Sequence, residues 1–336
     1  MTEANPVIRP VGAALPKIWG RRLMDVILHV GAHRTATTSF QYYLRGQGDW
    51  LGAQKTGFWG PGRTRKVVFP GLFRTAAVNR WRQVARRAEG RVRMHCAQAE
   101  ERGLHRLIVT DENMIGTCAQ NLRTARLYPA TGERMARLNA AFDGRIKRIV
   151  LTVRAQDLWW ASAAALTASR GHRLPDGLKC AAIADSPRGW RDVVTDLACA
   201  VPEAEILVRP FEVAPGRVEQ LLATLLGSSV PMPADAPWHN RSPDLADLRR
   251  LRSDMGADTK EPGEGLGRFQ PFTPVQCAAL RKHYADDLHW LAAGADGLAR
   301  LTEEQAQPRA GQSLPTGQMT KGHDYDIGQG HLAQHR

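Results

Sequence analysis

The 336-residue sequence has little cysteine and no order in it. Cys96, Cys118, Cys180, Cys199 and Cys277 are odd in number and widely spaced, and no CxxC occurs. Neither a disulfide framework nor a zinc site is indicated, so bystander thiols are the expectation. No apolar run approaches the roughly 20 residues that cross a bilayer. Residues 1–20 lack a basic stretch followed by an apolar one, so no secretory signal is read and a cytoplasmic location is expected. Negative charge is scarce: 33 Asp and Glu stand against 46 Lys and Arg, a net charge of +13. That balance favours anionic partners, among them nucleic acid, glycan, acidic lipid or a polyphosphorylated cofactor, without choosing between them. A basic surface set by composition alone is the bland alternative. No RNP aromatic motif, zinc finger or isolated basic arm is present, so nucleic acid is not expected.

A hydrophobic content of 43% supports a sizeable core. Residues 1–23 read as a loose lead-in, 24–300 as a single α/β domain, and 301–336 as a mobile tail. Short apolar runs at 24–30, 107–110, 146–153 and 206–208 read as strands. Helical spacing is found at 37–46, 76–101, 132–142, 157–170, 189–200, 216–226 and 274–293. The segments 51–73 and 228–272, rich in Pro, Gly and charge, read as loops. Alternation of strands and helices predicts a three-layer α/β/α fold with a mostly parallel central sheet. Ligands bind such sheets at the carboxyl ends of the strands. The chemical-looking segments 31–39, 110–113 and 154–162 all fall there.

The first of these, Gly31-Ala-His-Arg-Thr-Ala-Thr-Thr-Ser39, links a strand to a helix. A tight Gly turn followed by a helix N-terminus presents unpaired N–H groups to an anion. Thr35, Thr37, Thr38 and Ser39 add hydroxyls, and Arg34 adds a cation fitted to tetrahedral oxyanions. A nucleoside-triphosphate loop of the form GxxxxGK[ST] would need Gly at 36 and Lys at 37, where Ala36 and Thr37 stand. A Thr-rich helix start without a ligand is the plain alternative.

His33-Arg34-Thr35-Ala36-Thr37-Thr38-Ser39 resembles the 5′-phosphosulfate loop of sulfotransferases that use 3′-phosphoadenosine 5′-phosphosulfate, with a pattern close to [PH]-K-[ST]-G-T-T-[SW]. Arg34 replaces the usual Lys and Ala36 the usual Gly; the latter is tolerable where that residue is not held at positive φ. A second motif agrees. The family's 3′-phosphate site pairs an Arg at a strand end with a Ser eight residues on, and here Arg154 is followed by Ser162. Taken alone, Arg154 reads equally well as a strand-end ion pair with Asp157.

The resemblance, which covers roughly residues 24–210, implies a P-loop-like fold of the sulfotransferase type. It implies transfer of a sulfuryl group from that nucleotide donor to a hydroxyl or amine, with no metal. Gly31, Arg34, Thr35, Ala36, Thr37, Thr38, Ser39, Arg154 and Ser162 are then the donor site, with Arg34 at the bond that breaks. Glu112, at the end of the second apolar run, is the first candidate for general base and His33 the second. Asp111 beside it points elsewhere. Phe58, Trp59, Arg63, Arg65 and Lys66 are candidates for an acceptor cleft; the acceptor is left open between a carbohydrate or anionic glycan, a lipid-linked sugar, a small metabolite and a peptide Tyr. One of Trp159 and Trp160 is expected near the nucleotide. A kinase or NTPase with a degenerate loop, and a non-catalytic binder of polyanions, are the competing readings.

Overall fold

The computed structural model describes residues 23–73, 81–233, 237–256 and 265–302. All lie within one of the chain's two compact units, Met1–Glu303; the other, Glu304–Arg336, lies outside the described residues. Almost all of the expected lead-in and tail fall outside them too, as does the onset of the helix read at 76–101.

In chain order the strands are β1 (Asp25–Gly31), β2 (Thr56–Trp59), β3 (Arg106–Thr110), β4 (Ile146–Val153), β5 (Glu205–Pro210) and β6 (Arg300–Leu301). The helices are α1 (Thr37–Gly46), α2 (Gly48–Ala53), α3 (Pro61–Arg63), α4 (Trp81–Glu101), α5 (Cys118–Thr124), α6 (Thr131–Phe142), α7 (Gln156–Ala168), α8 (Gly177–Ala184), α9 (Trp190–Ala200), α10 (Val218–Leu226), α11 (Leu245–Asp254) and α12 (Pro274–Ala292). Six strands form one sheet in the order β2-β3-β1-β4-β5-β6, and each of its five pairings is parallel.

Period-two alternation sends successive side chains to opposite faces. Val26, Leu28 and Val30 of β1 join Val92 and Cys96 of α4, Leu138 of α6, Trp159 of α7 and Leu197 of α9. Ile27 points the other way, into a cluster with Phe40 and Leu44 of α1 and Leu221, Leu222 and Leu225 of α10. Both faces are covered, which makes the fold a three-layer α/β/α one. No helix among the described residues is long and apolar enough to cross a membrane.

Two segments read as loops are structured. Residues 51–73 hold the edge strand β2, α3 and a π-helical turn, Thr64–Val68. Gly57 hid the strand: a side chain there would collide with Leu104, 2.7 Å from its Cβ position. Residues 228–272 hold α11, whose Asp244 caps it by accepting from Asp247 N–H. Its Leu245 and Leu248 pack with Ala164, Ala165 and Ala168 of α7. With so few apolar positions that helix had no visible stripe.

From β1 the chain runs to the β2–β3 side of the sheet; from β4 it runs to the β5 side. The connections leaving β1 and β4 therefore diverge, and this opens a crevice at their carboxyl ends. The loop 31–36 and Arg154 line it.

Candidate functional site

Gly31 has φ +92, and a Cβ placed on it would lie 3.0 Å from the Cβ of Glu112. Glycine thus lets the end of β3 close on the loop. Arg34 and Ala36 also have positive φ, 64 and 60. The condition under which Ala36 substitutes easily for Gly is not met, because a Cβ in this region is strained by roughly 1–2 kcal/mol.

Ala36 is the N-cap of α1 and offers no side-chain cap, and the first turn has no acidic residue. Thr117, Asp176, Asp244 and Thr273 cap their helices with side-chain oxygens, whereas α1 shares its open start with α2, α3, α6, α7 and α10. The first N–H groups of α1 are thus left to an anion, backed by the helix dipole. The hydroxyls divide in two. Thr35 and Thr37 spend their hydrogens on the Ala32 carbonyl, at 2.7 and 3.1 Å. Thr38 and Ser39 instead accept, from Asn240 Nδ2 and His239 N–H, each at 2.9 Å. Their own O–H groups stay available to a ligand.

His33 is buried and braced. Its N–H donates to Tyr128 Oη (2.9 Å), its Nδ1 meets the same oxygen at 2.7 Å, and its Nε2 meets Asn113 Oδ1 at 3.0 Å. Since a carbonyl only accepts, Nε2 carries the hydrogen and Nδ1 accepts from the phenol. Burial lowers the imidazole's pKa, in keeping with a neutral ring. Neither nitrogen is left for a substrate proton, so His33 as alternative base gives way to His33 as loop brace. Indoles pin the neighbouring carbonyls: Trp159 Nε1 donates to His33 O and Trp190 Nε1 to Arg154 O, both at 2.8 Å. Trp160 is buried in the core.

The two motifs meet. Arg34 Nε donates to Ser162 Oγ at 2.8 Å, and Arg154 Nη1 donates to the Arg34 carbonyl at 2.8 Å. Asp157 pairs with Arg281 (2.8 Å), so the strand-end ion pair between Arg154 and Asp157 does not form. Arg154 instead lies over the Phe211 ring, 5.0 Å from its centroid, and its buried Nε has no partner among the described residues. Burial, with repulsion from Arg268, lowers its pKa to about 10. Among the described residues neither Arg34 nor Arg154 has a carboxylate at salt-bridge distance.

Glu112 accepts from Arg65 Nη2 (3.0 Å) on one oxygen and from Gln41 Nε2 (3.2 Å) on the other. Burial alone would raise its pKa; the guanidinium of Arg65 and the hydrogen bonds that the carboxylate accepts outweigh that and hold it below the usual range. Asp111 has a different task. It accepts from Thr64 Oγ1 (2.5 Å), Arg65 and Asn113 N–H, which fixes the turn after β3. The residues expected to line an acceptor cleft are divided between core and surface. Trp59 is buried beside Phe142 with the Arg63 guanidinium over its ring, 5.1 Å from the centroid, and Phe58 packs against the α1–α10 cluster. Among the described residues no group of three His, Cys, Asp or Glu is placed to hold a metal ion.

The sequence reading missed residues 239–242. Ser242 Oγ accepts from Arg34 Nη2 (2.9 Å) and lies 2.5 Å from Ser162 Oγ. His239 stacks on Tyr42, with ring centroids 4.1 Å apart. His-Asn-Arg-Ser in a Pro-rich stretch carries only a turn signal, so spacing gave no hint of this strap. Tyr128 was equally silent, 95 residues from the loop it braces.

No family model matches the chain, and no curated protein is significantly similar to it.

Proposed function

We propose that the protein is a sulfotransferase that moves a sulfuryl group from 3′-phosphoadenosine 5′-phosphosulfate to an acceptor hydroxyl or amine. The observation that carries this reading is the junction of two distant motifs, Arg34 on Ser162, beside an uncapped helix start. A site with two arginines that have no carboxylate partner among the described residues, beside a helix start with no side-chain cap, suits a ligand with two separated phosphate-like groups. The strand–loop–helix at the sheet's crevice supports a P-loop-like fold of this type.

The donor supplies an activated sulfuryl group, and the chain does the rest. The α1 N–H groups with Thr38 and Ser39 hold the 5′-phosphosulfate end; Arg154 and Ser162 hold the 3′-phosphate. Arg34, expected at the bond that breaks, is turned towards Ser162 and Ser242; in this reading it joins Arg154 in neutralising phosphate charge, and the amides of α1 stabilise the oxygen from which sulfur departs. Each such donor contributes about 3 kcal/mol by comparison with oxyanion holes. Glu112, ionised and fixed on both oxygens, takes the acceptor proton. The chemistry assigns no role to a metal.

Calorimetric titration with adenosine 3′,5′-bisphosphate and with ATP–Mg²⁺ tests the assignment. The bisphosphate is expected to bind tightly and to lose affinity severely in Arg154→Ala. Preference for ATP–Mg²⁺, indifferent to a 3′-phosphate, would overturn the reading in favour of an NTPase. With labelled donor and a panel of sugar, phenol and amine acceptors, Glu112→Gln should keep bisphosphate affinity and lose turnover by about 10²–10⁴. Retained turnover removes Glu112 as base.

A further inference from the structure

The π-helical turn Thr64–Val68 brings two successive side chains onto one carboxylate. Turns of this kind are rare and concentrate at functional sites. Thr64 Oγ1 reaches Asp111 Oδ2, while Arg65 Nε lies 3.0 and 3.2 Å from the two Asp111 oxygens and its Nη2 2.6 Å from Oδ1. Asp111 is buried, so withdrawing Arg65 would strand a charge in the interior. The guanidinium is therefore held still.

Neutralising Asp111 does not account for the rest of Arg65. A guanidinium has five N–H donors. Nε uses its one on Asp111, and Nη2 uses its two on Asp111 and on Glu112 at 3.0 Å. The two hydrogens on Nη1 have no partner among the described residues, and the side chain is 41% exposed. Lys66, the next residue in the turn, is exposed as well. The structure thus sets an immobile guanidinium with two unspent N–H donors against the carboxylate read above as the base.

We propose that Arg65 is a specificity-determining residue, whose Nη1 takes an oxyanion on the acceptor close to the hydroxyl that Glu112 deprotonates. The acceptor class is then a hydroxyl compound bearing a nearby carboxylate or sulfate, such as an acidic sugar. This rests on the sulfuryl-transfer reading. A preorganised guanidinium loses little freedom on binding, so its charge-assisted bond discriminates well between an anion and a neutral group.

The test uses the full chain saturated with adenosine 3′,5′-bisphosphate, so that failure to bind this nucleotide reports on the transferase reading alone. Guanidinium ¹⁵N–¹H NMR follows the Arg65 signal, assigned by its loss in Arg65→Lys, during titration with methyl glucuronide, its 6-sulfated glucoside counterpart and methyl glucoside. The two anions should shift the Arg65 signal and the neutral sugar should not; the stronger of the two identifies carboxylate or sulfate. Arg65→Gln should lower affinity for the preferred anion about tenfold, the worth of one charge-assisted hydrogen bond. Its bisphosphate affinity should stay at the wild-type value. Arg65→Lys, which keeps the charge, should fall between. An Arg65 signal that ignores both anions, or an equal response to the neutral sugar, overturns the proposal whether or not turnover is seen.

Discussion

Ala36 sits where glycine would be at ease. Its φ of 60 places a Cβ in the left-handed region, and Arg34, two residues earlier, bears the same strain at φ 64. Ala36→Gly should therefore raise the unfolding free energy by about 1 kcal/mol, read from urea denaturation; an unchanged or lower midpoint would show that the strain is already relieved. At this scale the sequence was legible where chemistry and backbone coincide. Gly31, Arg34, Arg154 and Ser162 meet in one crevice because short spacing rules record strand ends and helix starts. The bracing of His33 was not legible, because a phenol 95 residues away takes up its N–H and Nδ1. Nothing in the local sequence marks that partner.

The elements that carry the site are β1, α1, β3 and β4, whose apolar runs or periodicity announced them. Those that were missed owe their form to partners instead. Strand β2 is four residues long and exists by pairing with β3. The strap 239–242 has no regular structure and is defined by what it touches on α1 and α7. Asn240 donates to Thr38 Oγ1, and a hydroxyl that accepts a hydrogen bond becomes a better donor through its own hydrogen. Asn240→Ala should thus weaken adenosine 3′,5′-bisphosphate binding several-fold in calorimetry. An unchanged affinity would mean that the strap packs on the loop without serving it.

Over the whole molecule, stability should follow pH through a histidine far from solvent. His29 is fully buried on β1, hydrogen-bonded to Thr110 Oγ1 at 2.9 Å, and burial lowers its pKa from 6.5 to about 3. Between those values the unfolded chain binds a proton that the folded one does not. The contribution is therefore complete above pH 6.5 and is lost as pH falls towards 3, at about 1.4 kcal/mol per pH unit. His29→Asn should flatten the acid limb of the stability–pH curve by that slope in denaturant titrations; a curve parallel to the wild type would assign the acid sensitivity to other groups.

Trp159 and Trp190 do more than fill the interior. Each clamps a carbonyl beside the crevice, that of His33 in one case and of Arg154 in the other. Both indoles are also sealed from water. Light absorbed by these rings is emitted from a spot one hydrogen bond away from the backbone of the loop and of Arg154. Anything that brings negative charge to the loop changes the field around them, so the chain's native fluorescence is a built-in optical gauge of its own crevice, with no label attached.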